Sequence, residues 1–172
     1  DKRHLPYLDV SPHALDNSIV LGAASKAFNV AGLACSWAVI ANPEIRNAFT
    51  AEMHGIISEI NPFGYTATLT ALEHGDDWLQ AMNVYLRHNR DYLMAEFADI
   101  KGIRMLPLES TFLAWLDVSE LALEDPMAFF EAAGVGLSSG QGFNDANFLR
   151  LNFGCPRSVL EQAMQRIKKA LV

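Results

Sequence analysis

The chain has 172 residues, 51% of them hydrophobic and 19% charged, with a formal net charge of −7. That balance describes a globular chain with one good core, or one small domain plus part of another, and excludes a disordered segment. The acidic total speaks against a nucleic-acid partner, which calls for a basic face. Cys35 and Cys155 suit a reducing cytoplasm better than a disulfide framework. The opening Asp1-Lys2-Arg3-His4 has no apolar signal region, and the five histidines show no metal-ligand spacing. Neither a nucleic-acid partner nor a metal is therefore expected.

In chain order, residues 1–17 read as a loop punctuated by Pro6, Asp9, Pro12 and Asp16. Residues 18–21 are short, apolar and partly β-branched, and predict a buried strand that Gly22 ends. Lys26 follows, the one charged residue between Asn17 and Pro43, among Ala23, Ala24, Ser25, Ala27 and Phe28. Two outcomes are open for it. Its stem can lie on apolar surface with the amine in water. Alternatively the amine is buried, which lowers the pKa of a lysine and makes it a nucleophile suited to a Schiff base. Gly22, Ser25, Asn29, Gly32 and Ser36 interrupt the run too often for a membrane span.

Residues 33–40 predict a second buried strand. Asn42-Pro43-Glu44 is a helix start, with Asn as cap and Pro at the first position, and the spacing of Ile45, Phe49, Ile56 and Ile57 carries that helix to about residue 57. Asn61-Pro62 opens a helical region divided at residues 74–77, where Asp76 or Asp77 caps a second helix with Leu79, Met82, Leu86, Leu93 and Phe97 on its apolar stripe. A strand over 111–118, a helix from Asp125-Pro126 through Ala133, a strand and loop over 135–140 and a strand over 148–153 follow. A last helix begins near a Ser158/Glu161 capping box, with Arg157 as a surface or structural residue. In the strand at 148–153, Leu149, Leu151 and Phe153 share one face and Arg150 and Asn152 the other. A mid-strand Arg150 suits two roles, bidentate binding of a carboxylate or a structural ion pair.

Four stretches carry a resemblance. Ser25-Lys26-Ala27-Phe28-Asn29-Val30-Ala31-Gly32-Leu33 resembles the cofactor-lysine segment of fold-type I pyridoxal-phosphate enzymes, the aminotransferase class I/II superfamily. The region from Thr66 to Phe97, with Gly75-Asp76-Asp77-Trp78-Leu79 and Tyr85-Leu86-Arg87-His88-Asn89-Arg90, is similar to the helices of MalY/PatB-type carbon–sulfur lyases. Phe148-Leu149-Arg150-Leu151-Asn152 resembles the family's carboxylate-binding strand, and Gly140-Gln141-Gly142-Phe143 its glycine-rich loop facing substrate. The resemblance implies an α/β fold, the C-terminal part of a PLP-dependent transferase-like fold. Residues 1–60 would be the end of the cofactor-binding large domain, and residues 61–172 the connecting helices and an α+β small domain. It also departs from the family's pattern. Ala23 stands where many relatives have a hydroxyl, and Ala34-Cys35-Ser36 holds no phosphate-binding Arg.

The resemblance implies a mechanism. Lys26 would hold pyridoxal 5'-phosphate as a Schiff base and Arg150 would take the substrate carboxylate in a cytoplasmic homodimer; Ser25 would bond either the phosphate or a backbone turn, and Tyr65 would either pack at the helix-entry turn or make an in-trans contact. The freed Lys26 amine then takes the Cα proton while the cofactor accepts the electrons. The leading expectation is a β-lyase releasing thiol, pyruvate and ammonia from cystathionine or related S-substituted cysteines. An aminotransferase on amino acids is the alternative. A further alternative is that the chain alone, the C-terminal half of a longer enzyme, is inactive or an interaction module.

Overall fold

A computed structural model describes residues 4–172. Two compact units divide the chain between Ala81 and Met82. The anticipated domain line at residue 60 falls between two helices of the first unit.

In the first unit, the Ser11 hydroxyl caps α1 (Pro12–Asp16) by accepting from the Ala14 N–H at 3.0 Å. β1 (Val20–Gly22) then pairs antiparallel with β2 (Trp37–Val39), Val20 opposite Val39. Between the strands lie α2 (Ala24–Ala27) and a 3-10 turn at Ala31–Leu33. Both strands are shorter than the sequence predicts, and β2 is exposed rather than buried, as is Leu21 of β1 at 69%. The physical reason is that this sheet has two strands only, and no further strand among the described residues extends it. Side chains patterned for burial on both faces of a larger sheet therefore stay at the surface.

The Asn42 side chain caps α3 (Pro43–Met53) as anticipated, accepting from the N–H groups of Glu44 and Ile45 at 2.8 and 3.3 Å. The helix stops at Met53 rather than near 57. His54, at ψ 126°, already leaves helical geometry, Gly55 follows at φ 73°, and Ile56 and Ile57 beyond it are exposed. Asn61 does two jobs. Its carbonyl oxygen caps α4 (Pro62–His74) through the Gly64 N–H at 2.8 Å, and its amide donates to the Leu33 carbonyl at 3.0 Å. Gly64 lies against that same carbonyl, where a Cβ would collide with it.

α5 (Asp76–Ala98) begins one residue after α4 ends. Asp76 and Asp77 thus lie inside its first turn instead of capping it, where their charge still complements the helix dipole. The second unit starts within α5. Its sheet comprises β3 (Arg104–Met105), β4 (Leu113–Asp117), β5 (Ser138–Ser139) and β6 (Phe148–Asn152), in the order β3-β4-β6-β5 with every pair antiparallel. Asp125 caps α6 (Pro126–Ala132), and Gly134, at φ 77°, follows its end. α7 (Arg157–Ala170) closes the chain.

One face of this sheet, with Ala114, Leu116, Leu149 and Leu151, is buried with Leu93 and Phe97 of α5, Phe130 of α6 and Leu160, Met164 and Ile167 of α7. The alternation along β6 is the one the sequence shows. The anticipated capping box does not form, because α7 starts at Arg157 and takes Ser158 into its first turn. Glu161 instead accepts from Arg157 Nε at 3.2 Å, while the guanidinium lies 3.6 Å from the centre of the Tyr92 ring. Arg157 is a structural residue, as the sequence suggests. The one buried polar side chain of the unit among the described residues is Asn89, 1% exposed, whose amide donates to the carbonyls of Phe153 and Cys155 at 3.1 and 3.0 Å.

Candidate active site

The candidate residues fall into two groups, one in each compact unit. In the first, β1 ends at Gly22 and Ala23 is extended before the single turn of α2. Ala24 is the buried residue of that turn. Lys26 lies two positions on, about 200° around a helix, and is exposed. The burial that the sequence left open for this amine is therefore not what the structure shows, and the reason is the helical phase. Ser25 is half-buried beside it, and Tyr65, 61% exposed, lies in the first turns of α4. α2 packs on α4, and Phe28, just past α2, stacks on Trp78 with ring centroids 6.1 Å apart.

The second group is built on the outer face of the four-stranded sheet. Arg150 is the middle residue of β6, directly opposite Trp115 of β4 on one side and Ser138 of β5 on the other. Cross-strand partners of this kind are in side-chain contact range. Arg150 is half-buried. Its Nη2 donates to the Ser138 hydroxyl at 3.4 Å, and its guanidinium carbon is 5.2 Å from the centre of the Phe143 ring. Phe143 ends the 3-10 turn Gly140–Phe143 and meets Trp115 edge-on at 5.5 Å; Trp115 stacks on Phe148 at 5.5 Å.

No carboxylate among the described residues is paired with Arg150. Asp117, on the same face of β4, is engaged elsewhere. It accepts from Arg104 Nη2 at 2.7 Å and from the Ser119 hydroxyl at 2.7 Å. Those hydrogen bonds, the Arg104 one first, pull its carboxyl down to about 2. The structural ion pair considered for Arg150 is thus absent from the described residues, and its side-chain neighbours are the Ser138 hydroxyl and the Phe143 ring. Trp115 and Ser138 were not singled out by the sequence, although period-two alternation from Arg150 would have found both once the register was known. No group of three or more His, Cys, Asp and Glu among the described residues could hold a metal ion. No helix among them is long and apolar enough to cross a membrane.

The sequence profile of the family described as Aminotransferase class I and II matches residues 6–167. The chain belongs to that family. Cystathionine beta-lyase PatB of Bacillus subtilis is 30% identical over 176 residues, covering 98% of this chain and 46% of that relative. Among solved structures, OvoB superposes with a TM-score of 0.96 at 43% identity over 99% of this chain and 45% of that one. A putative PLP-dependent beta-cystathionase from Corynebacterium diphtheriae superposes at 0.93 with 34% identity, over 99% of this chain and 47% of that one. The chain spans about half the length of the relatives it matches, and its fold is a C-terminal part of the PLP-dependent family fold.

The family's cofactor is pyridoxal 5'-phosphate, and the first group of residues fits it. Lys26 is exposed, next in the chain to the half-buried Ser25 and between the small residues Ala24 and Ala27, so its primary amine is accessible to an aldehyde. Lys26 would be its covalent holder and Ser25 a donor to its phosphate.

Proposed function

We propose that the full-length protein is a PLP-dependent carbon–sulfur β-lyase acting on S-substituted cysteines such as cystathionine. The observation that carries this is Arg150: a half-buried guanidinium, central in its strand and free of any acid among the described residues, offering a bidentate site to an amino-acid carboxylate. Names among the relatives support the lyase over other family chemistry, since PatB and the C. diphtheriae protein are described by cystathionine cleavage.

In this reading Arg150 binds and orients the substrate carboxylate, and the Lys26 amine takes the proton from Cα and returns it where the product needs it. The bound cofactor supplies the electron sink that makes that proton acidic. Residues 1–60 contribute the cofactor lysine and residues 61–172 the carboxylate site. Tyr65 contacts a second active site across a homodimer, and the protein works in the cytoplasm.

The test is full-length protein loaded with pyridoxal phosphate and given cystathionine, with pyruvate followed in wild type and Lys26→Ala. Pyruvate from wild type alone is the expected result. Amino transfer to a 2-oxo acid without pyruvate would make the protein an aminotransferase, the chemistry its family is named for. Pyruvate from both forms would remove Lys26 from the mechanism.

A further inference from the structure

We propose that Phe143 is a positioning residue for Arg150, holding the guanidinium in the orientation that receives a carboxylate. This inference rests on the carboxylate role given to Arg150 above. A guanidinium on a long stem has no fixed orientation unless something covers its face or takes its donors. Here an ion pair is missing among the described residues, and the side-chain hydrogen bond to Ser138 is long at 3.4 Å. What remains is the Phe143 ring, 5.2 Å from the guanidinium carbon and within cation–π range. A ring on the flat face leaves the donor edge of the fork open, which is the edge a carboxylate needs.

Phe143 is itself held. Trp115 meets it edge-on, and Trp115 is stacked on Phe148, so an aromatic series runs over β4 and β6 to the arginine. Its backbone is held as well. The Ser139 hydroxyl accepts from the Gln141 N–H at 3.1 Å, and the Asp145 N–H donates to the Gly140 carbonyl at 3.1 Å. Gly140 fits against the carbonyls of Asp145 and Phe148, where a Cβ would collide. Asn144, at φ 65°, turns the chain back immediately after Phe143. A phenylalanine 56% exposed on so fixed a turn contributes little to any core, so its substitution should leave the fold standing.

The experiment uses full-length protein loaded with pyridoxal phosphate. Apparent Kd is read from the cofactor absorbance on titration with two probes that have no leaving group on Cβ, L-methionine and its decarboxylated counterpart 3-(methylthio)propylamine. Phe143→Leu is expected to weaken the amino acid by about threefold to tenfold relative to the amine, and Phe143→Tyr, which keeps the ring, to restore it. A loss equal for both probes, or no loss, would overturn the proposal, because a merely structural residue cannot distinguish them. Arg150→Ala reads the underlying assignment separately. If it weakens the amino acid selectively while Phe143→Leu does not, only the positioning role falls. If it fails to discriminate, the carboxylate role falls and the positioning role with it.

Discussion

At the scale of single residues, Arg150 was legible because β alternation needs no tertiary knowledge. Leu149 and Leu151 are buried, so the side chain between them faces the other way. A lysine there would keep the charge and lose the fork. Arg150→Lys in the full-length enzyme should cost about 2 kcal/mol of transition-state binding, roughly thirtyfold in kcat/KM, measured by pyruvate release. Lys26 was legible as a motif and not as an environment. Apolar neighbours signal that some surface will cover a segment, but not which side chain turns inward, and here that is Ala24. Asn89 shows a signal passed over. It falls between Leu86 and Leu93 at helical spacing, in the stripe assigned to the core, and a polar residue there has to find partners. Asn89→Ala would strip the Phe153 and Cys155 carbonyls of their donor, and we expect a loss of about 2–3 kcal/mol in denaturant unfolding.

At the scale of elements, the starts of helices were readable and the ends less so. Asn42, Asn61 and Asp125 each cap the helix they were expected to open or precede, since a short polar side chain and a following proline suffice. Helix ends depend on where the chain must go next, as at His54 and Gly55. β3 is tied to β4 by Arg104 and Asp117. The folded Asp117 carboxyl is lowered from 3.8 to about 2, so its contribution is full above the unfolded value and is lost as pH falls towards 2. Arg104 is largely exposed, so the contribution is about 1 kcal/mol after screening. Thermal melts of wild type and Asp117→Asn should differ by a constant margin above pH 5 and converge towards pH 2.

At the scale of the whole molecule, the two units differ in how completely they bury their apolar residues. The core cluster from Leu93 to Ile167 lies wholly within the second unit. The first unit leaves Leu21, Val39, Ile56, Phe63 and Leu69 exposed. No count of hydrophobic residues along the chain could foretell this, because composition records what can be buried and not what is present to bury it. Few buried contacts mean low local opening energies. Limited proteolysis of the 172-residue chain should therefore cut first before Ala81 and leave a resistant product close to residues 82–172, identified by mass spectrometry.

The outer strands of the larger sheet, β3 and β5, are each two residues long. So short a border offers an incoming strand almost no ladder to extend, and this part of the chain resists templated aggregation. β1 and β2 each have an open side and carry Leu21, Trp37 and Val39 on it or near it. If the chain precipitates on concentration, the fibre-forming stretch is expected there, between Val20 and Val39, and a lysine at Leu21 or Val39 should raise its solubility.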